Sequence, residues 1–212
     1  MMDFSDYRQD YTLGSLHEQD LPAVPAELFR TWFEAILQTG KEDPTAMVLA
    51  TATAAGRPSC RMVLLKAFED DTFVFYTNYE SRKATELGEN PFASLLFYWP
   101  AFERQLRIEG QVAMLEAKAS DSYFRQRPPE SRLSALVSPQ SREIPSRQWL
   151  ETRLEALRQQ ADPETVARPP HWGGYRLFPH RYEFWQGRPD RLHDRIVYER
   201  SDAGWNRFRL AP

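Results

Sequence analysis

Apolar residues recur at helical spacing between Pro25 and Gly40. The stripe consists of Leu28, Phe29, Trp32, Phe33, Ile36 and Leu37. Proline is favoured in the first helical turn and glycine just past the last one. The pattern therefore predicts an amphipathic helix over residues 25–40.

Most of the remaining apolar residues alternate with polar ones, as in half-buried strands. Strands are predicted over 46–53, 59–68, 71–78, 92–99, 102–116, 175–185, 193–199 and 204–210. Further helices are predicted over 81–88, capped by Ser81, and over 117–126, 129–137 and 146–161. The segment PPHWGG, 169–174, is predicted to break regular structure, and residues 1–23 to form a mobile arm.

Many sequential strands with inserted helices argue against a parallel doubly wound sheet. The order favours a mainly β fold with added helices (α+β), built on an antiparallel barrel that is closed or nearly closed. Neither an internal repeat nor a linker is visible, so residues 1–212 are expected to form one domain.

The net charge of −3, from 27 basic and 30 acidic residues, argues against bulk nucleic-acid binding. The single cysteine, Cys60, precedes an apolar run and is expected to pack in the core. One cysteine, no signal-like apolar segment and no apolar run of bilayer length favour a cytoplasmic protein away from membranes. The four histidines lack metal-ligand spacing, so no metal site is expected.

Two segments combine cations with strand or helix ends. In RMVLLK, Arg61 and Lys66 are five residues apart, so a regular strand would place them on opposite faces. One ligand could contact both side chains if it lay across the strand end. Otherwise Arg61 and Lys66 bind two different ligands, or they are the solvated ends of a buried strand. In YTNYESRK, Arg82 and Lys83 begin a helix, where an anion is favoured, although a water-facing pair fits equally well.

Three further segments offer polar groups to a ligand. In SYFRQRPPESRLS, Tyr123, Arg127 and Ser131 recur every four residues, as in a phosphate clamp or a solvated helix face. In ERQLRIEGQV, Gln105 offers an amide to a heterocycle edge, whereas Arg107 pairs with Glu109 on a polar face. Gln140 and Ser141 in PQSRE form a weaker loop signal.

The most specific local feature is EFWQGRPDRLHDR, 183–195. If the segment is extended, Arg191, His193 and Arg195 share one face beside Trp185. Like charges in one place indicate a bound anion unless each has a carboxylate partner, and alternation puts Asp194 on the other face. No GxGxxG, P-loop or GxSxG motif accompanies these segments.

Taken together, the motifs RQDY (8–11), RMVLLK (61–66), YTNYESRK (76–83), RQLRIEG (104–110), SYFRQRPPESRLS (122–134), PQS (139–141) and EFWQGRPDRLHDR (183–195) resemble the pyridoxine/pyridoxamine 5′-phosphate oxidase family. The resemblance implies an FMN-binding split barrel and a cytoplasmic homodimer with FMN at sites built from both subunits. It also implies oxidation of pyridoxine or pyridoxamine 5′-phosphate to pyridoxal 5′-phosphate, with dioxygen as acceptor, in vitamin B6 biosynthesis. One departure is Tyr182, where an aliphatic residue is usual.

The resemblance also implies roles for individual residues. The implied FMN contacts are Arg61, Met62, Val63, Leu64, Leu65, Lys66, Tyr76, Thr77, Arg82, Lys83, Gln105, Gln140, Ser141, Trp185 and Arg195. The implied substrate contacts are Arg8, Tyr11, Lys66, Tyr123, Arg127, Ser131, Arg191 and His193, and the last two are the implied catalytic residues. Two other functions stay open: a split-barrel flavoprotein acting on another substrate, and a non-catalytic protein that binds FMN or a B6 vitamer.

Overall fold

The computed structural model describes residues 2–6, 10–40 and 43–212. The α-helices are α1 (Pro25–Leu37), α2 (Arg82–Glu89), α3 (Ala117–Gln126), α4 (Pro129–Val137) and α5 (Arg147–Gln160). The strands are β1 (Ala46–Ala52), β2 (Pro58–Leu64), β3 (Ala67–Glu69), β4 (Thr72–Asn78), β5 (Phe92–Trp99), β6 (Arg104–Met114), β7 (Trp172–Gln186), β8 (Asp194–Ser201) and β9 (Gly204–Leu210). The predicted mainly β architecture with added helices is confirmed.

The strands form one sheet in the order β2-β1-β5-β6-β7-β4-β3, and β8 pairs with both β7 and β9. The pairs β3–β4, β4–β7, β7–β8 and β8–β9 are antiparallel. In the register of β7 and β8, Trp185 lies opposite Arg195. This pairing places an aromatic ring and a cation side by side on neighbouring strands.

The chain divides into two compact units. The terminal unit comprises the described residues of 1–49 together with 94–110 and 179–212, and the central unit comprises 50–93 and 111–178. The prediction of a single domain with a mobile arm stays a prediction. In the terminal unit, Leu16 of that segment is buried, and its N–H donates to Asp194 Oδ2 at 3.0 Å.

Each unit has its own aromatic core. In the terminal unit, the apolar stripe of α1 packs Phe29 against Phe97 and Trp32 edge-on to Phe184. Full burial of each such side chain contributes roughly 1.5–3 kcal/mol. In the central unit, Phe75 on β4 stacks on Tyr175 of β7.

The strand predicted over 59–68 is two strands, β2 and β3, which lie at opposite ends of the sheet order. Between them, the Lys66 N–H donates to the Val74 carbonyl at 2.8 Å, and Leu65 is buried. The expected burial of Cys60 is also wrong: Cys60 is exposed. It lies on β2, which ends the sheet and has neighbours on one side only.

Residues 169–174 are not wholly a breaker, since β7 begins at Trp172 and includes Gly173 and Gly174. Glycine is required there by close packing. A Cβ on Gly173 would overlap the Tyr79 hydroxyl, and one on Gly174 would lie 2.5 Å from a methyl carbon of Leu115. These glycines therefore admit neighbouring side chains rather than ending a strand.

Candidate active site

The central unit contains a cavity of about 530 Å³, within the usual range for small-molecule sites. It is lined by Arg61, Met62, Val63, Leu64, Lys66, Tyr76, Thr77, Lys83, Tyr123, Gln126, Arg127, Pro128, Ser131, Gln140 and Trp172. Four of these described residues are cations, and none is an aspartate or glutamate. The lining is therefore suited to an anionic ligand with a flat ring.

Arg61 and Lys66 line this cavity together. The prediction that Arg61 and Lys66 lie on opposite faces assumed one regular strand through both residues. Because β2 ends at Leu64, Lys66 follows the strand end and is released from its alternation. Both residues are therefore available to one ligand that lies across the strand end or to two ligands in the same cavity.

Lys83 is the most deeply buried cation of the cavity, with 8% of its surface exposed. Its Nζ donates to Thr77 Oγ1 at 3.1 Å, Ser81 Oγ at 3.2 Å and Gln140 Oε1 at 2.7 Å. All three acceptors are neutral. Burial, followed by repulsion from Arg61, lowers the pKa of Lys83 to about 8. An anion in the cavity would stabilise its charged form.

The start of α2 separates its two basic residues. Arg82 is largely exposed and pairs with Glu86 at 2.8 Å, whereas Lys83 lines the cavity. Ser81 is the N-cap residue, as predicted, but its hydroxyl makes no cap hydrogen bond and donates to the Asn78 carbonyl. Among the implied cofactor contacts of this unit, Leu65, Arg82 and Ser141 do not line the cavity.

The predicted clamp of Tyr123, Arg127 and Ser131 lines the same cavity. It is not one helical face. Arg127 is the C-terminal cap of α3 and Ser131 lies on α4, so the clamp is assembled across the junction of two helices. In the described structure, one buried terminal nitrogen of Arg127, NH1, has no hydrogen-bond partner. Such a donor costs about 1–3 kcal/mol when unpaired, and a phosphate oxygen would satisfy it.

Trp172 is a cavity residue that sequence reasoning missed, because it lay in the supposed breaker. The Tyr76 ring stacks on Tyr123 at 3.9 Å between centroids and on Trp172 at 5.4 Å. The Arg127 guanidinium lies 4.5 Å from the centre of the Trp172 ring. A ring face attracts the cation without neutralising its charge, so Arg127 is held in place and still able to bind an anion.

Burial raises the pKa of both Tyr76 and Tyr123 above the ordinary value, although Arg127 opposes the shift at Tyr123. Both phenols therefore stay protonated at neutral pH. A protonated phenol can donate a hydrogen bond to a ligand oxygen.

The terminal unit holds an aromatic cluster of Tyr11, Trp185 and His193. Tyr11 lies edge-on to both other rings, at 5.7 Å from Trp185 and 5.6 Å from His193. Trp185 and His193 are 4.7 Å apart. A Cβ on Gly187 would lie 2.7 Å from the Tyr11 side chain, so this glycine lets Tyr11 approach. Arg8, the other substrate contact that the resemblance implies near the N-terminus, lies outside the described residues.

The expectation that Arg191, His193 and Arg195 share a strand face is wrong. Residues Pro189–Arg191 form a 3-10 turn, and β8 begins only at Asp194. Within that turn Asp190 and Arg191 have φ angles of 55° and 61°, in the left-handed region that non-glycine residues avoid. The turn, not strand alternation, sets the position of Arg191.

His193 is held as a neutral imidazole. Its Nδ1 accepts a hydrogen bond from the Arg188 backbone N–H at 3.1 Å. Burial and then the charge of Arg191 lower the pKa of His193, while Asp194 opposes the shift. The charge of Arg191 thus disfavours the protonated imidazole, but burial is the larger cause.

Arg195 has the carboxylate partner that the sequence did not reveal. Its Nε and NH2 atoms lie 2.9 and 2.8 Å from Glu183 Oε1. Glu183 is 2% exposed and also accepts from Arg107, which pairs with Glu109 at 3.3 Å as predicted. Glu183 was missed because it faces Arg195 across strands and not along the chain. Gln105 lies half-buried on β6 of the same unit.

Within the described ranges, no group of three or more potential ligand side chains is arranged to hold a metal ion. Nor does any helix in that part of the chain have the length and apolarity needed to cross a membrane.

Two family models match the chain. Residues 33–161 match the model described as pyridoxamine 5′-phosphate oxidase, and residues 172–212 match the pyridoxine 5′-phosphate oxidase C-terminal dimerisation region. The first match covers the whole cavity lining except Trp172, and the second contains the Trp185–Arg195 segment.

Known proteins are similar over the full length. A pyridoxine/pyridoxamine 5′-phosphate oxidase of Chromohalobacter salexigens is 50% identical over 212 residues, covering 99% of each chain. One from Leptospira interrogans is 49% identical over 209 residues, covering 98% of each chain. The crystal structure of PhzG from Burkholderia lata, in complex with tetrahydrophenazine-1-carboxylic acid, has a TM-score of 0.87 at 34% identity, covering 94% of this chain and 99% of PhzG.

A pyridoxamine 5′-phosphate oxidase-related, FMN-binding protein from Nostoc punctiforme has a TM-score of 0.69 at 21% identity, with 87% of this chain and 97% of that one covered. At that identity the likeness concerns the fold alone, and it confirms the predicted split barrel. The family matches and the two full-length relatives carry the stronger conclusion: the chain belongs to the pyridoxine/pyridoxamine 5′-phosphate oxidase family.

Proposed function

We propose that the protein is an FMN-dependent oxidase that converts pyridoxine or pyridoxamine 5′-phosphate to pyridoxal 5′-phosphate. Dioxygen is the acceptor. The alcohol and dioxygen give the aldehyde and hydrogen peroxide, whereas the amine also consumes water and releases ammonia. The observation that carries this proposal is the cavity of the central unit, in which four cations and an aromatic stack meet with no carboxylate among the described lining residues.

The central unit fits the phosphate of FMN. Lys83, bonded only to neutral oxygens, and Arg61 supply charge, and Thr77 and Gln140 supply polar groups beside them. FMN lacks adenosine, so a GxGxxG motif is not needed. The chemistry supplied by bound FMN is acceptance of a hydride at N5 and return of the electrons to dioxygen.

A second phosphate, that of the substrate, is assigned to Lys66, Tyr123, Arg127 and Ser131. The unpaired NH1 of Arg127 and the protonated Tyr123 phenol are the donors that support this assignment. Binding of a phosphate remote from the reacting carbon orients C4′ and excludes unproductive poses.

In the terminal unit, Arg191 is proposed to stabilise negative charge that develops on the substrate oxygen, or to steer the C4′ proton. His193 is proposed to orient the substrate ring, since its lowered pKa keeps it neutral. Gln105, Trp185 and Arg195 remain proposed FMN contacts, and Tyr11 and Arg8 remain the proposed lid.

The C-terminal dimerisation region supports a homodimer. We propose that each of its two FMN sites is built from both subunits and that the enzyme works in the cytoplasm, in vitamin B6 biosynthesis. Membership of the family supports these three features.

A different substrate is the main alternative, because the PhzG structure, at 34% identity, holds a tricyclic carboxylic acid. The four cations of the cavity favour a substrate with a phosphate, whose charge at neutral pH exceeds that of one carboxylate. A non-catalytic binding protein would bind FMN and the vitamer but consume no oxygen.

The deciding experiment is to purify the protein, confirm that it is yellow, add pyridoxine 5′-phosphate in air, and measure pyridoxal 5′-phosphate and peroxide together. Equal amounts over many turnovers are expected. A yellow protein that stays inert would contradict the substrate or the catalysis. A colourless protein that stays inert after FMN is added would contradict the flavin assignment.

A further inference from the structure

A buried carboxylate, Glu86, lies behind the cavity of the central unit. It is on α2, is 3% exposed, and does not line the cavity. Its Oε2 accepts hydrogen bonds from Thr51 Oγ1 and Ser59 Oγ, both at 2.5 Å. Its Oε1 accepts from Arg82 Nε at 2.8 Å. Every hydrogen bond to the carboxylate thus comes from a side chain on α2, β1 or β2.

The same two hydroxyls also contact Arg61. Its NH1 donates to Thr51 Oγ1 at 2.6 Å, and its NH2 donates to Ser59 Oγ at 2.5 Å. A guanidinium only donates and a carboxylate only accepts, so each hydroxyl must accept from Arg61 and donate to Glu86. The direction of all four hydrogen bonds is therefore fixed, and the guanidinium is held by both terminal nitrogens.

The hydroxyls also keep the two charges apart. The direct distance from Arg61 NH2 to Glu86 Oε2 is 3.4 Å, longer than the contacts through either hydroxyl. Charge-assisted hydrogen bonds are usually about 2.7–2.9 Å long, so the direct ion pair is weak. It is weaker than the two hydroxyl relays, the paths from Arg61 to Glu86 through the Thr51 and Ser59 hydroxyls. The two hydroxyls thus orient the Arg61 guanidinium at the wall of the cavity, where an anionic ligand can meet its charge.

Glu86 is ionised over the whole working pH range. Burial alone would raise its pKa, but hydrogen bonds from Ser59, Thr51 and Arg82 outweigh it and hold the pKa at about 2. A buried charge is a poor way to stabilise a fold, because its desolvation is costly. Its place beside a cation of the cavity indicates a role in positioning that cation.

We propose that Glu86 is a positioning residue for the FMN phosphate: through Thr51 and Ser59 it fixes the Arg61 guanidinium at the cavity wall. This inference rests on the proposed function, since it takes FMN as the ligand. It predicts a specific defect. Loss of Glu86 weakens binding of flavin that has a phosphate and spares flavin that lacks one.

The test compares FMN with riboflavin, which has the same ring system but no phosphate, by fluorescence titration of the flavin-free protein. In Glu86→Gln, one end of the amide must present N–H to Arg82 or to the hydroxyl pair, so the network cannot be completed. FMN binding is expected to weaken about tenfold, or about 1.4 kcal/mol, while riboflavin binding changes less than about twofold.

Smaller changes dissect the relays. Thr51→Val and Ser59→Ala each remove one of the two hydroxyls that link Arg61 to Glu86. Each change is expected to weaken FMN binding by about threefold, as for loss of one hydrogen bond of about 0.6 kcal/mol. Glu89→Gln is the matched control. Glu89 is on the same helix, and within the described residues its one hydrogen bond comes from the exposed Ala54 N–H, so both flavins should bind normally.

Equal weakening of FMN and riboflavin would overturn the inference, because it would reveal a purely structural role. Unchanged FMN binding in Glu86→Gln would also overturn it. If Glu86→Gln does not fold, the two relay variants decide by the same FMN-to-riboflavin ratio. A wild-type protein that binds both flavins equally would instead contradict the phosphate assignment of the proposed function.

Discussion

The central and terminal units both gather cations and aromatic rings, but they balance charge differently. In the central unit, Lys83 and Arg127 contact neutral oxygens and a ring face. In the terminal unit, the buried Glu183 pairs with Arg107 and Arg195. Cations without carboxylate partners indicate an anion yet to be bound, whereas paired cations indicate side chains held in fixed positions. Among the described residues, this difference supports the proposal that the central unit recognises phosphate and the terminal unit orients the reacting groups.

Arg191→Leu gives the strongest test of the terminal unit. We expect kcat to fall about 10²–10³-fold, the usual cost of removing a group that stabilises developing charge. FMN content should be unchanged, because the proposed site for the FMN phosphate lies in the central unit. Steady-state kinetics and flavin absorbance measure the two effects, and wild-type turnover would remove Arg191 from catalysis.

The contrasting variant is Arg195→Leu, which should lose FMN on dialysis. It also leaves the buried Glu183 with one fewer partner. Undiminished flavin occupancy in this variant would mean that Arg195 serves only to neutralise Glu183.

Trp172→Leu tests the central unit at its ring face. Arg127 loses a cation–π contact worth about 2 kcal/mol when desolvated, so KM for pyridoxine 5′-phosphate should rise about thirtyfold, with a smaller change in kcat. Trp149→Leu is the control, because Arg153 lies 4.7 Å from the centre of that ring, away from the cavity on α5. A KM shift of equal size in both variants would exclude a role of Trp172 in the site.

The pH dependence of FMN binding gives the smallest expected effect. Lys83 has a pKa of about 8 in the flavin-free protein, and FMN binding requires its charged form. FMN affinity should fall about tenfold between pH 7 and pH 9, and Lys83→Gln should bind weakly without this dependence. Fluorescence titration measures both, and a slope that persists in the variant would assign the titration to another group.

The same group affects the stability of the flavin-free protein in the opposite direction. Its pKa is lower folded than unfolded, so between about pH 8 and 10.5 the unfolded chain binds more protons. The contribution of Lys83 to the free energy of unfolding therefore rises with pH over this window. Denaturant titrations of wild type and Lys83→Gln separate this contribution from that of other groups.

Much of the fold was predictable because its signals are local. The helices over 117–126 and 129–137 and the strand over 204–210 occur as predicted, each bounded by a proline, a glycine or a change of periodicity. What could not be predicted depends on distant partners. The break at Lys66 follows from its hydrogen bond to Val74, and the strand at Trp172 follows from side chains that pack against two glycines.

The residues of the candidate site divide in the same way, into those recognised from local sequence and those recognised only through distant partners. Motif resemblance named Lys83, Arg127 and Gln140, which the structure brings into one cavity. It did not name Glu86 or Glu183, because a buried carboxylate is recognised by the cations that it contacts, and these come from other strands or helices. Strand alternation failed for Arg191 because two consecutive left-handed residues precede Leu192.

The strained turn at Pro189–Arg191 affects how the sequence would change under selection at high temperature. Each non-glycine residue in the left-handed region costs roughly 1–2 kcal/mol, so Asp190 and Arg191 together reduce the heat tolerance of the enzyme. Glycine at position 190 would relieve part of this strain and also free the neighbouring backbone. A population selected only for survival at high temperature would drift toward glycine there, whereas one selected for activity would keep the strained turn and tolerate a lower melting temperature.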